Sequence, residues 1–210
     1  MHEEDFSSRN DNLFVDRKKR GASGTTVFLS DGSSFLLHGS DADAVSLSAQ
    51  IDELLFSFLQ SRSEAYAAYA KGFSLCARRE HSVTQLKQKL YQRGFSQAAV
   101  EDAAIRLEQA RALDDVRYAQ VWLRSQIRRK RASRAVLAAK LAEAGVSQRI
   151  VAEALEELYS SEIELASLAN AFEKLNRKPR MTREKFMAAL TRRGFSYKSI
   201  KKILDEHNIA

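Results

Sequence analysis

Asp114 and Asp115 are adjacent carboxylates, and such a pair can serve as general acid and base when its surroundings push the two pKa values apart. Here the pair stands just before Val116, where a helical pattern begins. Capping of that helix, with negative charge at the positive end of its dipole, is the expected role. Cys76 lies inside a helical stretch and reads as a small core residue rather than a nucleophile. The four histidines, His2, His38, His81 and His207, are scattered, with no pair at metal-ligand spacing. There is no His-Glu-x-x-His helix and no glycine-rich phosphate loop. No catalytic, cofactor-binding or metal-binding residue is expected, and the chain reads as a binding protein rather than an enzyme.

The basic residues carry more information. Net charge is +7, but residues 1–110 hold 13 Lys/Arg against 15 Asp/Glu, whereas residues 111–210 hold 21 against 12. Arg124, Arg128, Arg129, Lys130, Arg131 and Arg134 crowd the end of one long helix and the start of the next. Lys178 and Arg180, then Arg192 and Arg193, mark the corresponding region further on. Dipole compensation explains one or two cations per helix end, not five. The surplus fits an anionic partner, a phosphate backbone or an acidic protein surface. No recognition helix, zinc finger or aromatic platform beside these charges is evident, so sequence-specific reading of DNA is not expected. Tyr118 and Trp122, four apart, share one helical face; core packing is the expected reading, an exposed partner anchor the alternative.

The elements that must position these residues follow from an internal repeat. Gly94, Gly145 and Gly194 lie 51 and 49 residues apart. Twelve residues before each stands a hydroxyl (Ser82, Ser133, Thr182), and four before each a leucine (Leu90, Leu141, Leu190). Immediately after each comes an apolar residue (Phe95, Val146, Phe195), then a serine (Ser96, Ser147, Ser196). The hydroxyl predicts an N-cap, with Gln85 completing a capping box at Ser82. The glycine predicts the left-handed residue that closes a helix in a Schellman motif, and the serine starts the next helix at once. A longer helix precedes each pair, near Glu64–Arg79, Asp115–Lys130 and Ser161–Lys178. The expectation is an all-α fold: three tandem three-helix repeats over 61–110, 111–160 and 161–210, stacked as an elongated curved rod.

Ahead of the repeats, residues 1–24 are polar, contain Arg17-Lys18-Lys19-Arg20 and read as a disordered tail. Residues 25–37 place two β-prone runs around Asp31-Gly32, the signal of a tight hairpin. A polar loop and then an amphipathic helix ending in Ile51, Leu54, Leu55, Phe58 and Leu59 complete the 25–60 segment. One proline and eight glycines in 210 residues favour long helices. A single cysteine suits a reducing cytosol, no apolar run of 18 residues exists, and the N-terminus lacks the pattern of a signal peptide. A cytoplasmic protein without a membrane partner is expected.

The run Ala77-Arg78-Arg79-Glu80-His81-Ser82, with Leu86, Leu90 and Arg93-Gly94-Phe95, resembles the RecX family. So does Leu113-Asp114-Asp115 followed by Arg117-Tyr118-Ala119 and Trp122. The resemblance is strong over 75–160 and visible to 209. It implies a cytoplasmic modulator that binds RecA protomers and the RecA filament on single-stranded DNA. It further implies restraint of strand exchange, ATP hydrolysis and coprotease activity. Weak, nonspecific nucleic-acid binding, a monomeric state and no cofactor are expected. The alternative is a stand-alone, sequence-nonspecific nucleic-acid-binding helical protein.

Overall fold

The structure is a computed structural model that describes residues 13–22, 24–129, 132–177 and 181–209. Three strands, β1 (Val15–Gly21), β2 (Gly24–Leu29) and β3 (Ser34–Leu37), lead into α1 (Gly39–Asp43). Three sets of three helices follow. These are α2 (Glu53–Cys76), α3 (Val83–Tyr91) and α4 (Gln97–Gln109); α5 (Asp115–Arg128), α6 (Arg134–Glu143) and α7 (Gln148–Leu158); and α8 (Ser161–Asn176), α9 (Arg183–Thr191) and α10 (Tyr197–Glu206). The chain forms two compact units. One runs to Arg79 and resumes over Leu86–Ala112; the other takes Glu80–Gln85 and Leu113 onward.

In the first unit the predicted hairpin is present as β2 and β3, with Asp31 accepting from the Ser33 amide at 2.8 Å in the turn. It is not alone. β1 pairs antiparallel with β2, so residues 15–21, expected in a disordered tail, are a strand. The four-cation run hid the strand's alternation: Lys18 and Arg20 pair with Val27 and Thr25, which are buried, whereas Arg17 and Lys19 pair with Phe28 and Thr26 on the other face. Lys18 donates to the carbonyls of Ala42 (2.6 Å) and Val45, and Arg20 lies 3.3 Å from Asp43. The inner face joins Val15, Val27, Leu29 and Leu37 to Val45, Ile51 and Leu59.

The boundary expected at residue 60 falls inside α2, a continuous helix of 24 residues. No glycine or proline interrupts 53–71, and Asp52 caps its start by accepting from the Leu55 amide at 2.7 Å. The small residues Ala65, Ala68 and Gly72 are among its buried positions and admit close packing. A methyl on Gly72 would stand 2.6 Å from Leu107 Cδ1 of α4. Asp41, Arg62, Asp102 and Arg106 close a ring of ion pairs at 2.7–3.4 Å that ties α1, α2 and α4 together. Only its Asp102–Arg106 member, four apart on one helix, had a local signature.

The repeat glycines all close Schellman motifs, with φ of +84°, +83° and +77° at Gly94, Gly145 and Gly194. In each, the amide after the glycine donates to the leucine carbonyl: Phe95 to Leu90, Val146 to Leu141 and Phe195 to Leu190, at 3.1–3.4 Å. The second unit uses two of these turns a second time. Ser82 Oγ donates to the carbonyl of Ala144, just before Gly145, and Ser133 Oγ donates at 2.7 Å to that of Arg193, just before Gly194. Both serines are 0 % exposed and cap their own helices, accepting from the amides of Gln85 (3.1 Å) and Val136 (3.3 Å). A Cβ on Gly145 would overlap the Thr84 side chain, and one on Gly194 would lie 2.6 Å from Ser133 Oγ. Gly94 has nothing within 4 Å of that position.

Two predicted caps differ. Gln85 does not turn back to Ser82; its side-chain nitrogen donates to Tyr118 Oη at 3.0 Å. The amide of Val83 is taken instead by Asp115 at 2.9 Å. Thr182 stands at the N-cap of α9 but makes no side-chain cap; its hydroxyl donates to Glu184 at 2.8 Å.

These geometries predict unequal glycine costs. Gly94→Val should lose about 1–2 kcal/mol from the left-handed backbone alone. Gly145→Val should lose clearly more, since Thr84 must also move. Urea unfolding of the two variants measures the difference, and equal losses would contradict the tight approach at Gly145.

Candidate nucleic-acid and partner interface

The candidate interface lies in the second unit and begins on α5. Tyr118, Ala119 and Leu123 turn inward, with Trp122 and Ile127 packed against the same core as Leu137, Leu141, Val151 and Leu155. Tyr118 is 6 % exposed, so the Tyr118/Trp122 pair packs in the core and is not an exposed anchor. The inward face leaves Arg124 and Arg128, four apart, exposed with Arg129 at the helix end. Arg124, Arg128 and Arg129 form no ion pair with any described residue.

The Asp114-Asp115 pair holds the base of this helix. Asp114 accepts from the amides of Val116 (2.8 Å) and Arg117 (3.1 Å), the capping role its position predicted. Asp115 reaches the first amide of α3 instead. Burial pushes the Asp115 carboxyl above its ordinary range, the Val83 hydrogen bond pulls it back in part, and the charge of Asp114 adds to the rise.

Two predicted interface arginines are otherwise engaged. Arg134 stands at the first position of α6, where the helix dipole disfavours a cation. Its guanidinium donates to the carbonyls of Leu155 (3.3 Å) and Tyr159 (3.2 Å), closing the end of α7, and pairs with Glu156 at 2.9 Å. Arg193 offers its backbone carbonyl to Ser133, and its side chain donates to the Ala171 carbonyl at 3.4 Å. Arg192 is exposed at the end of α9, with no ion pair to a described residue. Lys130, Arg131, Lys178 and Arg180 lie outside the described residues.

Sequence reasoning also passed over an aromatic. Tyr197 on α10 is 67 % exposed and lines a shallow cleft with Lys198, Lys201, Lys202, Asp205 and Glu206. Its helical spacing from Lys201 was the available signal, but Tyr197 could equally have been core. Among the described residues no helix is long and apolar enough to cross a membrane.

Three short-turn helical repeats, with exposed arginines at the ends of their helices, define a tandem-repeat protein built of three-helix domains. Family models match it in that form: the first three-helix domain of RecX over residues 68–107 and the second over 114–155. The regulatory protein RecX of Chlorobium phaeobacteroides is 32 % identical over 139 residues, 66 % of this chain and 92 % of the relative. That of Treponema pallidum is 35 % identical over 139 residues, 66 % and 84 %. This chain belongs to the RecX family of regulatory proteins. A crystal structure of a regulatory protein RecX shares the fold at a TM-score of 0.76 and 17 % identity, over 92 % of this chain and 99 % of that one. The RecX crystal structure from Lactobacillus salivarius matches at 0.59 and 18 % identity, over 70 % and 98 %.

Two outcomes follow. Because the Asp115 pKa is raised on folding, its protonation favours the folded state. That contribution is full below the ordinary aspartate pKa and is lost as pH rises through the raised value. Wild type should therefore gain stability relative to Asp115→Asn as pH falls from 7 toward about 4; a pH-independent difference in urea unfolding would contradict the burial. Separately, Arg134→Ala should lower stability by about 1 kcal/mol through the lost helix-end hydrogen bonds. Arg128→Ala should leave the melting temperature unchanged, and circular-dichroism melts of both test the division.

Proposed function

We propose that this protein is a cytoplasmic regulator that binds RecA and its filament on single-stranded DNA and restrains strand exchange, ATP hydrolysis and coprotease activity. It acts by binding, as a monomer, without catalysis or a cofactor. The observation that carries the reading is membership of the RecX family together with exposed arginines on the second unit, Arg124, Arg128, Arg129 and Arg192, that pair with no described carboxylate. Four guanidiniums without local counter-charge raise the potential that an anionic partner meets. Lys130, Arg131, Lys178 and Arg180, outside the described residues, are part of the same proposal on their charge and sequence position alone. Arg134 and Arg193 belong to its support rather than to the binding face, because their side chains and backbone already hold helix ends.

A second reading, a stand-alone nonspecific nucleic-acid binder, draws on Tyr197, whose exposed ring beside Lys198, Lys201 and Lys202 could stack on a base. Partner dependence separates the two. Charge reversal at Arg124, Arg128 and Arg129 should leave the melting temperature unchanged and weaken binding to RecA–DNA filaments. Each phosphate interaction removed should flatten the slope of log affinity against log salt by about 0.7 for a single strand. Filament binding measured at two salt concentrations decides: unaltered affinity with a lowered melting temperature would show that these arginines serve only their helices. A steep salt slope on DNA alone, with no added affinity for the filament, would favour the second reading.

A further inference from the structure

The N-terminal sheet has one face packed on α2 and one face open. Strand register assigns the open face to six residues: Arg17 and Lys19 on β1, Thr26 and Phe28 on β2, Ser34 and Leu36 on β3. Val15, Thr25, Val27, Leu29 and Leu37, on the inner face, are buried. Lys18 and Arg20 turn to α1, so half of the basic run is spent within the fold and the other half is displayed. Arg17 lies over Phe28, its guanidinium carbon 4.4 Å from the ring centroid. Lys19 is exposed and has no ion pair with a described residue. The nearest carboxylate is Asp16 at the strand's irregularity, 4.0 Å from Arg17 with both side chains more than half exposed. No acidic side chain stands among the six residues of the face.

We propose that this open face is a binding surface for single-stranded nucleic acid, with Phe28 and the Arg17 guanidinium as the stacking platform and Lys19 as the phosphate contact. A flat antiparallel face with an aromatic flanked by cations offers what an unpaired strand lacks: a surface for a base and counter-charge for the backbone beside it. The guanidinium already stacked on Phe28 is planar and weakly hydrated, and can exchange that ring for a base without losing a buried partner. Duplex DNA hides its bases from such a surface, and the two displayed cations beside an aromatic suit an anionic strand with unpaired bases. The site lies wholly within the first unit and is independent of any action on RecA.

The test uses the full chain and a 15-nucleotide oligothymidylate carrying 5-iodouracil, with no recombinase present. Photo-crosslinking and peptide mapping should place adducts on the peptide that contains Phe28. Phe28→Ala should reduce that adduct at least about tenfold, whereas Phe28→Tyr should retain it. Lys19→Glu, at an exposed position, should fold as wild type and reduce the adduct more at low salt than at high, because salt screens the charge it removes. Melts of every variant accompany the binding, and if Phe28→Ala does not fold, Phe28→Tyr and Lys19→Glu still decide. Adducts confined to the helical segments, or an adduct at Phe28 indifferent to Lys19→Glu, would overturn the proposal. So would variants that alter RecA filament activity while leaving oligonucleotide crosslinking unchanged, which would make the face a protein-binding one.

Discussion

Ser82 and Ser133 each make the same pair of bonds: the hydroxyl accepts from an amide in the first turn of its own helix and donates to the carbonyl that precedes a turn glycine further along the chain. Both oxygens are buried, so each group left unpaired would cost about 1–3 kcal/mol. The bond demands close approach, and close approach demands glycine. At Gly145 and Gly194 a side chain would collide with Thr84 or Ser133, in addition to straining a backbone at positive φ. One motif therefore closes a helix, caps another and fixes the spacing between them. In the second unit this sets where α6 begins and ends and where α9 ends, and with them the positions of Arg134, Arg192 and Arg193.

Much of this was legible in the sequence because the motif repeats. A hydroxyl, a leucine, a glycine and a serine at fixed offsets are local signals, and three copies made them readable as caps and Schellman turns. The bonds between turns were not legible, since nothing in a cap's local sequence says that its hydroxyl has a second, distant acceptor. The same blindness explains Gln85, drawn to Tyr118 across 33 residues; Thr182 keeps the extended backbone of a cap, but its hydroxyl takes no amide of its helix. β1 was missed because charge masked its alternation, and the pairing of Lys18 with helix-end carbonyls arises only in the tertiary fold. The continuity of α2 was readable in principle: no breaker separates Glu53 from Lys71, and the division at residue 60 followed the repeat spacing instead.

The basic surplus is where sequence and structure diverge most usefully. Of the ten cations singled out by crowding, Arg124, Arg128, Arg129 and Arg192 are exposed without a described counter-charge, Arg134 and Arg193 are tied to helix ends, and four lie outside the described residues. Counting charges cannot separate an arginine that closes a helix from one that faces a partner, because both sit near helix termini. Geometry separates them through the carbonyls that each guanidinium already serves. A rim of unpaired charge acts chiefly on encounter and salt dependence rather than on packing. That is the behaviour expected of the proposed regulator of a polyanionic filament.

The central claim, that this protein restrains RecA on single-stranded DNA, is tested most directly by ATP hydrolysis. Preformed RecA filaments on a single strand, titrated with the intact protein, should lose ATPase activity at levels well below one molecule per RecA protomer. Hydrolysis unchanged up to equimolar protein would contradict the account.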